Sequence, residues 1–240
     1  EHTSRGLGDV YKRQDQEYYC NTNPVMSDNE YDILREYIVK KYPNNPDADI
    51  GHEKCEIEKN RVKLPYQMWS MDKIKPDSKE LDKYKKQYKG PYVLSCKLDG
   101  ISGLYSTEND KPQLYTRGNG RIGTDISHLI EYLVLPKTKD VVLRGEIIMK
   151  KTLFQDKYSK KFKNARNLVA GLVNNKSITP ERIDMFKDLD FVAYEVIEPV
   201  MKPSEQLSLL TSLNFNVVLN SSTKELDNNI LSKKLIEGRE

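Results

Sequence analysis

The chain has 240 residues, 37% hydrophobic and 31% charged, enough to bury a sizeable core in one large or two small domains. Lys plus Arg number 39 against 36 for Asp plus Glu, and the net charge of +3 excludes a chain-wide pull toward polyanions, so any nucleic-acid contact must come from local patches. Three scattered cysteines, Cys20, Cys55 and Cys96, give neither zinc spacing nor a disulfide framework, and no apolar run is long enough to span a membrane; the expectation is a reduced, cytoplasmic protein that meets no membrane.

Residues 1–14, "EHTSRGLGDVYKRQ", show no periodicity and read as a non-native or disordered leader. From Asp15 a short helix, a turn at Asn23-Pro24 and a second helix form a small helical hairpin. Ser27 with Glu30 three residues on opens the second helix as a capping box, and Pro43 stops it. Residues 44–66, rich in Asn, Pro, Asp and Lys, read as a linker. "PDSKELDKYKKQYKGP" is an amphipathic helix ending at Gly90, and its run from Lys83 to Lys89 reads as a solvated face. Beyond Gly90 the period changes to alternation. "PYVLSCKL", "ISGLYST", "PQLYTRG", "VVLRGEIIM" and "FVAYEVIE" read as strands, "KNARNLVAGLVNN" and "SEQLSLLTSL" as helices. Several connections are too short for a crossover helix, so the fold class is α+β with a largely antiparallel sheet.

Within that frame "CKLDGISGLY" places Lys97 between an apolar lead-in and an Asp-Gly turn. The tetrapeptide alone fits an ordinary hairpin turn. It also fits an amine nucleophile at the end of a buried strand. An ordinary lysine is neutral about once in a thousand at pH 7.4, roughly 4 kcal/mol from being nucleophilic, so desolvation or nearby cations must make up the difference. "LYTRGNGRIGTDI" adds Arg117 and a glycine-rich loop that precedes a helix. "VVLRGEIIM" places Glu146 in an apolar strand, either as an edge-strand carboxylate facing water or as a buried acid that binds something. "FKNARNLVAGLVNN" sets Arg166 at the start of a helix.

In this order the segments resemble the nucleotidyltransferase core of NAD-dependent DNA ligases. The family's K-x-D-G, T-R-G-(D/N)-G-x-x-G, R-G-E and F-x-N-x-R-N-x-x-x-G stand here as Lys97 to Gly100, Thr116 to Gly123, Arg144 to Glu146 and Phe162 to Gly171. The N-terminal "YYCNTNPVMSDNEYD" resembles the module that grips the nicotinamide mononucleotide (NMN) half of NAD. There Tyr18, Tyr19, Asp28, Tyr31 and Asp32, with Pro24 and Glu30, take the matching positions. Tyrosine rings suit a pyridinium face, and carboxylates favour its charge. The domains implied are a helical NMN-binding module and linker over 15–66 and an adenylation domain over 67–240 that stops short of the family's later motifs. That core is a nucleotidyltransferase (ATP-grasp-like, ligase-type) fold with flanking helices.

The resemblance further implies that Lys97 attacks the α-phosphate of NAD and holds AMP, and that nicked double-stranded DNA is the partner of a monomeric enzyme. Arg117 and Arg166 would handle phosphate or ribose. Glu146 would bind ribose hydroxyls or help position Mg²⁺, Ser70 and Met71 would line the adenine pocket, and Asp99 would fix the turn. Lys160, Lys161 and Lys163 are expected to contact the DNA backbone. Three positions depart from the family pattern: Ser95 where an acid often reads adenine, Tyr19 for histidine, and Asn174 for arginine. They fit a divergent, viral branch. Two other readings stay open, an RNA ligase or capping-type enzyme using a nucleoside triphosphate and a nucleotide- or DNA-binding module without catalysis.

Overall fold

The computed structural model describes residues 37, 40, 41, 61–75, 78–175 and 178–237, which fall into two compact units. The described part of the smaller unit consists of residues 37, 40, 41, 61–68 and 117–125. In it β1 (Arg61–Lys63) pairs antiparallel with β5 (Ile122–Thr124). The expected linker therefore ends in a strand, because residues 61–63 find backbone partners about 60 positions further on that composition does not reveal. The loop between Arg117 and β5 is held from both sides. Leu64 N–H donates to the Arg121 carbonyl and Met68 N–H to the Gly120 carbonyl, each at 2.8 Å, while the Asn119 side chain accepts from the backbone N–H of Ile122 at 2.8 Å. Gly118 sits at φ +52, and a Cβ there would collide with the Ile122 carbonyl oxygen, which is why this loop carries glycine.

The larger unit holds a five-stranded sheet in the order β4-β3-β6-β7-β8, formed by β3 (Ile101–Ser106), β4 (Gln113–Thr116), β6 (Val142–Ile148), β7 (Asp190–Glu198) and β8 (Asn216–Val217). All neighbours pair antiparallel except β7 and β8, so the α+β, largely antiparallel expectation holds for this unit. A two-stranded ribbon of β2 (Tyr92–Ser95) and β9 (Asn220–Thr223) completes its strands. The helices are α1 (Glu80–Gln87), α2 (Lys151–Lys157), α3 (Ala165–Val173), α4 (Pro180–Lys187), α5 (Pro203–Ser212) and α6 (Asn228–Glu237). The glycine-rich loop leads into β5 and a single 3-10 turn, Ser127–Leu129, rather than a helix. Of the expected helical hairpin only Tyr37, Lys40 and Lys41 are described, and they are helical.

Alternation along β3 and β6 decides which face becomes core. Tyr105, Leu143 and Ile147 point to one side and pack with Leu168, Val169 and Leu172 of α3 and with Phe191 of β7. At roughly 25 cal/mol per Å² of apolar surface removed from water, each such side chain contributes on the order of 2 kcal/mol. Helix α5 covers β7 and β8 through Leu207 and Leu210. Outside the core, Tyr158 Oη and Lys157 Nζ both donate to Asp188, at 2.6 and 3.0 Å, tying the end of α2 to the end of α4.

Helix α3 begins where the sequence places it. Asn164 has extended backbone, and its side-chain oxygen accepts from Asn167 N–H at 2.7 Å, filling one of the four donors a helix start leaves open. Replacing Asn164 with Ala should cost about 1 kcal/mol, lowering the thermal midpoint by about 2–4 °C for a chain of this size. Thermal unfolding followed by circular dichroism checks it, and an unchanged midpoint would mean that packing alone fixes the helix start.

Candidate active site

Lys97 lies in the five-residue loop between β2 and β3, and the glycine that closes the loop explains its course. Gly100 is buried, and a Cβ on it would strike the carbonyl oxygen of Ile147 on β6. Only glycine lets the lysine loop approach that strand so closely. Leu98 packs partly against the core, whereas Lys97 and Asp99 are both exposed. This corrects one expectation: packing does not bury Lys97, and the groups around it are charged and polar.

Those charges come from three elements. Ser102 on β3 faces Glu146 on β6 in the strand register, and its Oγ donates to Glu146 Oε2 at 3.0 Å. Glu146 is only 8% exposed and sits on an inner strand, flanked by β3 and β7, which removes the edge-strand reading. Burial pushes its carboxyl above the usual carboxylate range. The Ser102 hydroxyl, the charges of Lys97 and Arg166 and the Gly100 backbone N–H pull in the opposite direction without cancelling it. Arg166, second residue of α3, donates through Nη1 to Asp99 Oδ1 at 3.0 Å, bracing the exposed turn from across the sheet end. This pair is worth at most about 1 kcal/mol because Asp99 is largely in water.

Two further residues join the group that sequence reasoning passed over. Ser102 became visible only through the β3–β6 register. Tyr194 on β7 is half-buried, and its phenol is pushed up to about 12, first by burial and then by the negative charge of Glu146. A tyrosine followed by Glu195 in the otherwise aliphatic strand "FVAYEVIE" was the available signal. The arginine of "RGE", Arg144, turns to Glu195 on β7 at 2.7 Å. What the sheet end assembles is thus an accessible amine, a buried acid with two donors, an arginine at a helix start and a polar-tipped ring.

The remaining expected residues are less gathered. Ser95 is exposed at the end of β2, paired with Asn220, and Asn174 caps the end of α3. Ser70 and Met71 are exposed, as are Lys160, Lys161 and Lys163. Lys161 lies 4.0 Å from Glu181. Arg117 belongs to the smaller unit, where its carbonyl accepts from Gly120 N–H at 2.9 Å. Tyr18, Tyr19, Asp28, Tyr31 and Asp32 lie outside the described residues. Among the described residues no three Asp, Glu, His or Cys side chains converge into a metal cage, and no helix is long and apolar enough to cross a membrane.

A lysine loop seated on an antiparallel sheet beside a buried carboxylate and a helix-start arginine belongs to a recognisable class. Residues 57–235 match the NAD-dependent DNA ligase adenylation domain, and the chain belongs to that family. It is 42% identical over 231 residues to a DNA ligase of Acanthamoeba polyphaga mimivirus, covering 92% of this chain and 35% of the relative. A protein of Invertebrate iridescent virus 6, named as a putative DNA ligase, is 37% identical over 234 residues, 94% of this chain and 36% of its own length. A DNA ligase of Malacoplasma penetrans is 31% identical over 194 residues, 69% of this chain and 27% of the relative. The chain thus spans about a third of the length of these relatives.

Ionised Glu146 should destabilise the nucleotide-free fold. Its raised folded-state pKa means that the folded chain holds the proton more tightly than the unfolded one; the stabilising contribution is complete below the ordinary 4.5 and is lost as pH rises through the folded-state value. Glu146→Gln should therefore unfold at a higher temperature than the parent near pH 7, with the advantage fading below the ordinary 4.5. Thermal melts at both pH values check the sign. A lower midpoint near pH 7 would make the ionised carboxylate net stabilising.

Proposed function

We propose that this chain is the adenylation region of an NAD-dependent DNA ligase. Lys97 Nζ attacks the α-phosphorus of NAD, forming an Nζ–P bond as the bond from that phosphorus to the bridging oxygen breaks. NMN departs with the bonding pair, and the amine gives up its proton. The observation that carries this reading is the convergence of Lys97, Glu146 and Arg166 at one end of the sheet, where both cations act on the same buried carboxylate.

The parts have separable tasks. Arg166 offers guanidinium donors to phosphate or ribose, and Asp99 keeps that guanidinium beside the lysine loop. Glu146, a buried acceptor, suits a ribose hydroxyl, which supplies the donor that its burial demands. Arg117, Ser70, Met71 and Ser95 complete the AMP contacts in this proposal. Tyr18, Tyr19, Asp28, Tyr31 and Asp32 hold the NMN half. Mg²⁺ would travel with the diphosphate, since Mg²⁺ usually binds through one or two carboxylates plus substrate phosphates, and Glu146 is the one buried carboxylate among the described residues. When bound, it neutralises the charge that develops on the phosphoryl oxygens.

In the same proposal AMP passes to the 5′-phosphate of a nick in double-stranded DNA, and the adjacent 3′-hydroxyl displaces it. Lys160, Lys161 and Lys163 would meet the DNA backbone. Reversing charge at Lys160 and Lys161 should lower the slope of log affinity against log salt by about 0.9 for each phosphate no longer neutralised. An unchanged slope would remove these lysines from the DNA surface.

Intact mass after incubation with NAD and Mg²⁺ tests the first step. The parent should gain one AMP, and Lys97→Ala should gain none. AMP gained equally by both would place the acceptor elsewhere, and AMP gained from ATP with release of pyrophosphate would favour the triphosphate-using reading.

A further inference from the structure

We propose that the outer side of α1, with Tyr84, Tyr88 and Tyr92, is a second docking surface for double-stranded DNA, recognising its phosphodiester backbone. Residues 83–92, "KYKKQYKGPY", combine lysines and tyrosines with no acid. Both acids of the helix, Glu80 and Asp82, stand in its first turn, within i+3 and i+4 reach of Lys83 and Lys86, and past Lys83 the run carries lysines without a further acid.

The helix is also packed for presentation. Leu81 is its one buried residue. With 3.6 residues per turn, Lys83 and Lys86 fall roughly 200° and 140° around the axis from Leu81, on the side away from the core. Lys89 donates from Nζ to the Lys85 carbonyl at 3.1 Å, and Lys83, one turn from Glu80, and Lys86 are the outward cations of the helix. They stand about 4.5 Å apart along the axis, close to the roughly 3.4 Å rise that separates phosphates on one DNA strand.

The tyrosines make the surface firm without a core beneath it. The rings of Tyr84 and Tyr88 lie 4.9 Å apart, and that of Tyr92 lies 6.3 Å from Tyr84. Tyr92 Oη donates to the Tyr88 carbonyl and Gln87 Nε2 to Tyr88 Oη, both at 3.0 Å. Tyr84 and Tyr88 are nevertheless 38% and 50% exposed. Exposed rings fixed in place and edged by lysine offer hydroxyl and ammonium donors, the groups that contact phosphate and sugar. A bilayer-inserting surface would instead show Leu, Ile or Phe beyond the lysines, and residues 83–92 contain none.

This inference shares with the proposed function only the idea that the protein meets duplex DNA, and its test separates the two. Binding of a fluorescent duplex by the 240-residue chain is measured across a salt series, beside Lys83→Gln/Lys86→Gln and Lys83→Arg/Lys86→Arg, and each protein is assayed for AMP transfer by intact mass. The glutamine pair should lower the slope of log affinity against log salt by about 1.8, two phosphate contacts at about 0.9 each. The arginine pair should retain the slope, and all three should gain AMP equally. A glutamine pair with the parental slope overturns the surface, as does a parent that binds anionic vesicles but no duplex at low salt. A parent that takes up no AMP yet shows the slope change would overturn the ligase reading and leave the surface standing.

Discussion

The pairing of β3 with β6 is the constraint on which the site depends. Six consecutive residue pairs, from Ile101 opposite Ile147 to Ser106 opposite Val142, fix both faces of the sheet at once. One face receives Tyr105, Leu143 and Ile147 for the core; the other sets Ser102 against Glu146. A one-residue slip would exchange the faces, putting the acid into the apolar layer and Ile147 beside the lysine loop. Core burial therefore enforces the register that sets Ser102 against Glu146, and Gly100 lets the Lys97 loop lie against the same strand.

Charge at this site is arranged around an expense. A carboxylate held out of water stabilises nothing by itself, and one serine hydroxyl and one backbone N–H only partly offset its desolvation. The fold tolerates the acid because two cations stand nearby on separate elements, Lys97 on a loop and Arg166 on a helix. Neither is buried with it, so both stay accessible to an anionic ligand. In the proposed adenylation the amine would be Lys97, which stands at the rim of the sheet instead of in an apolar pocket.

Much of this was legible in the residues. Strands β2, β3, β4, β6 and β7 and helices α1, α3 and α5 follow from alternation and helical periodicity, which are local signals, whereas α2, α4, α6, β8 and β9 do not stand out in the sequence. Lys97, Arg166 and Glu146 stand out from their segments, and the fold brings them near one another. Four further features were not legible. The accessibility of Lys97 depends on where β2 ends, and the Ser102–Glu146 contact on a register spanning 44 residues. Strand β1 was hidden in what reads as linker, because its partner is a loop-borne strand distant in sequence. Tyr194 was overlooked since a tyrosine in a strand is ordinarily packing, and only the neighbouring carboxylate distinguishes it.

The course of the chain also limits how the protein can be divided. Residues 117–125 leave the larger unit at the end of β4, pair with β1, and return at Ile126, where the backbone N–H meets the Leu114 carbonyl. The smaller unit is thus assembled from two separate stretches of sequence. A chain begun at Trp69 would keep every strand of the main sheet but strip β5 of its only mate among the described residues, turning a paired ribbon into a bare edge open to association with other chains. Any excised or transplanted version that keeps this pair must carry both stretches.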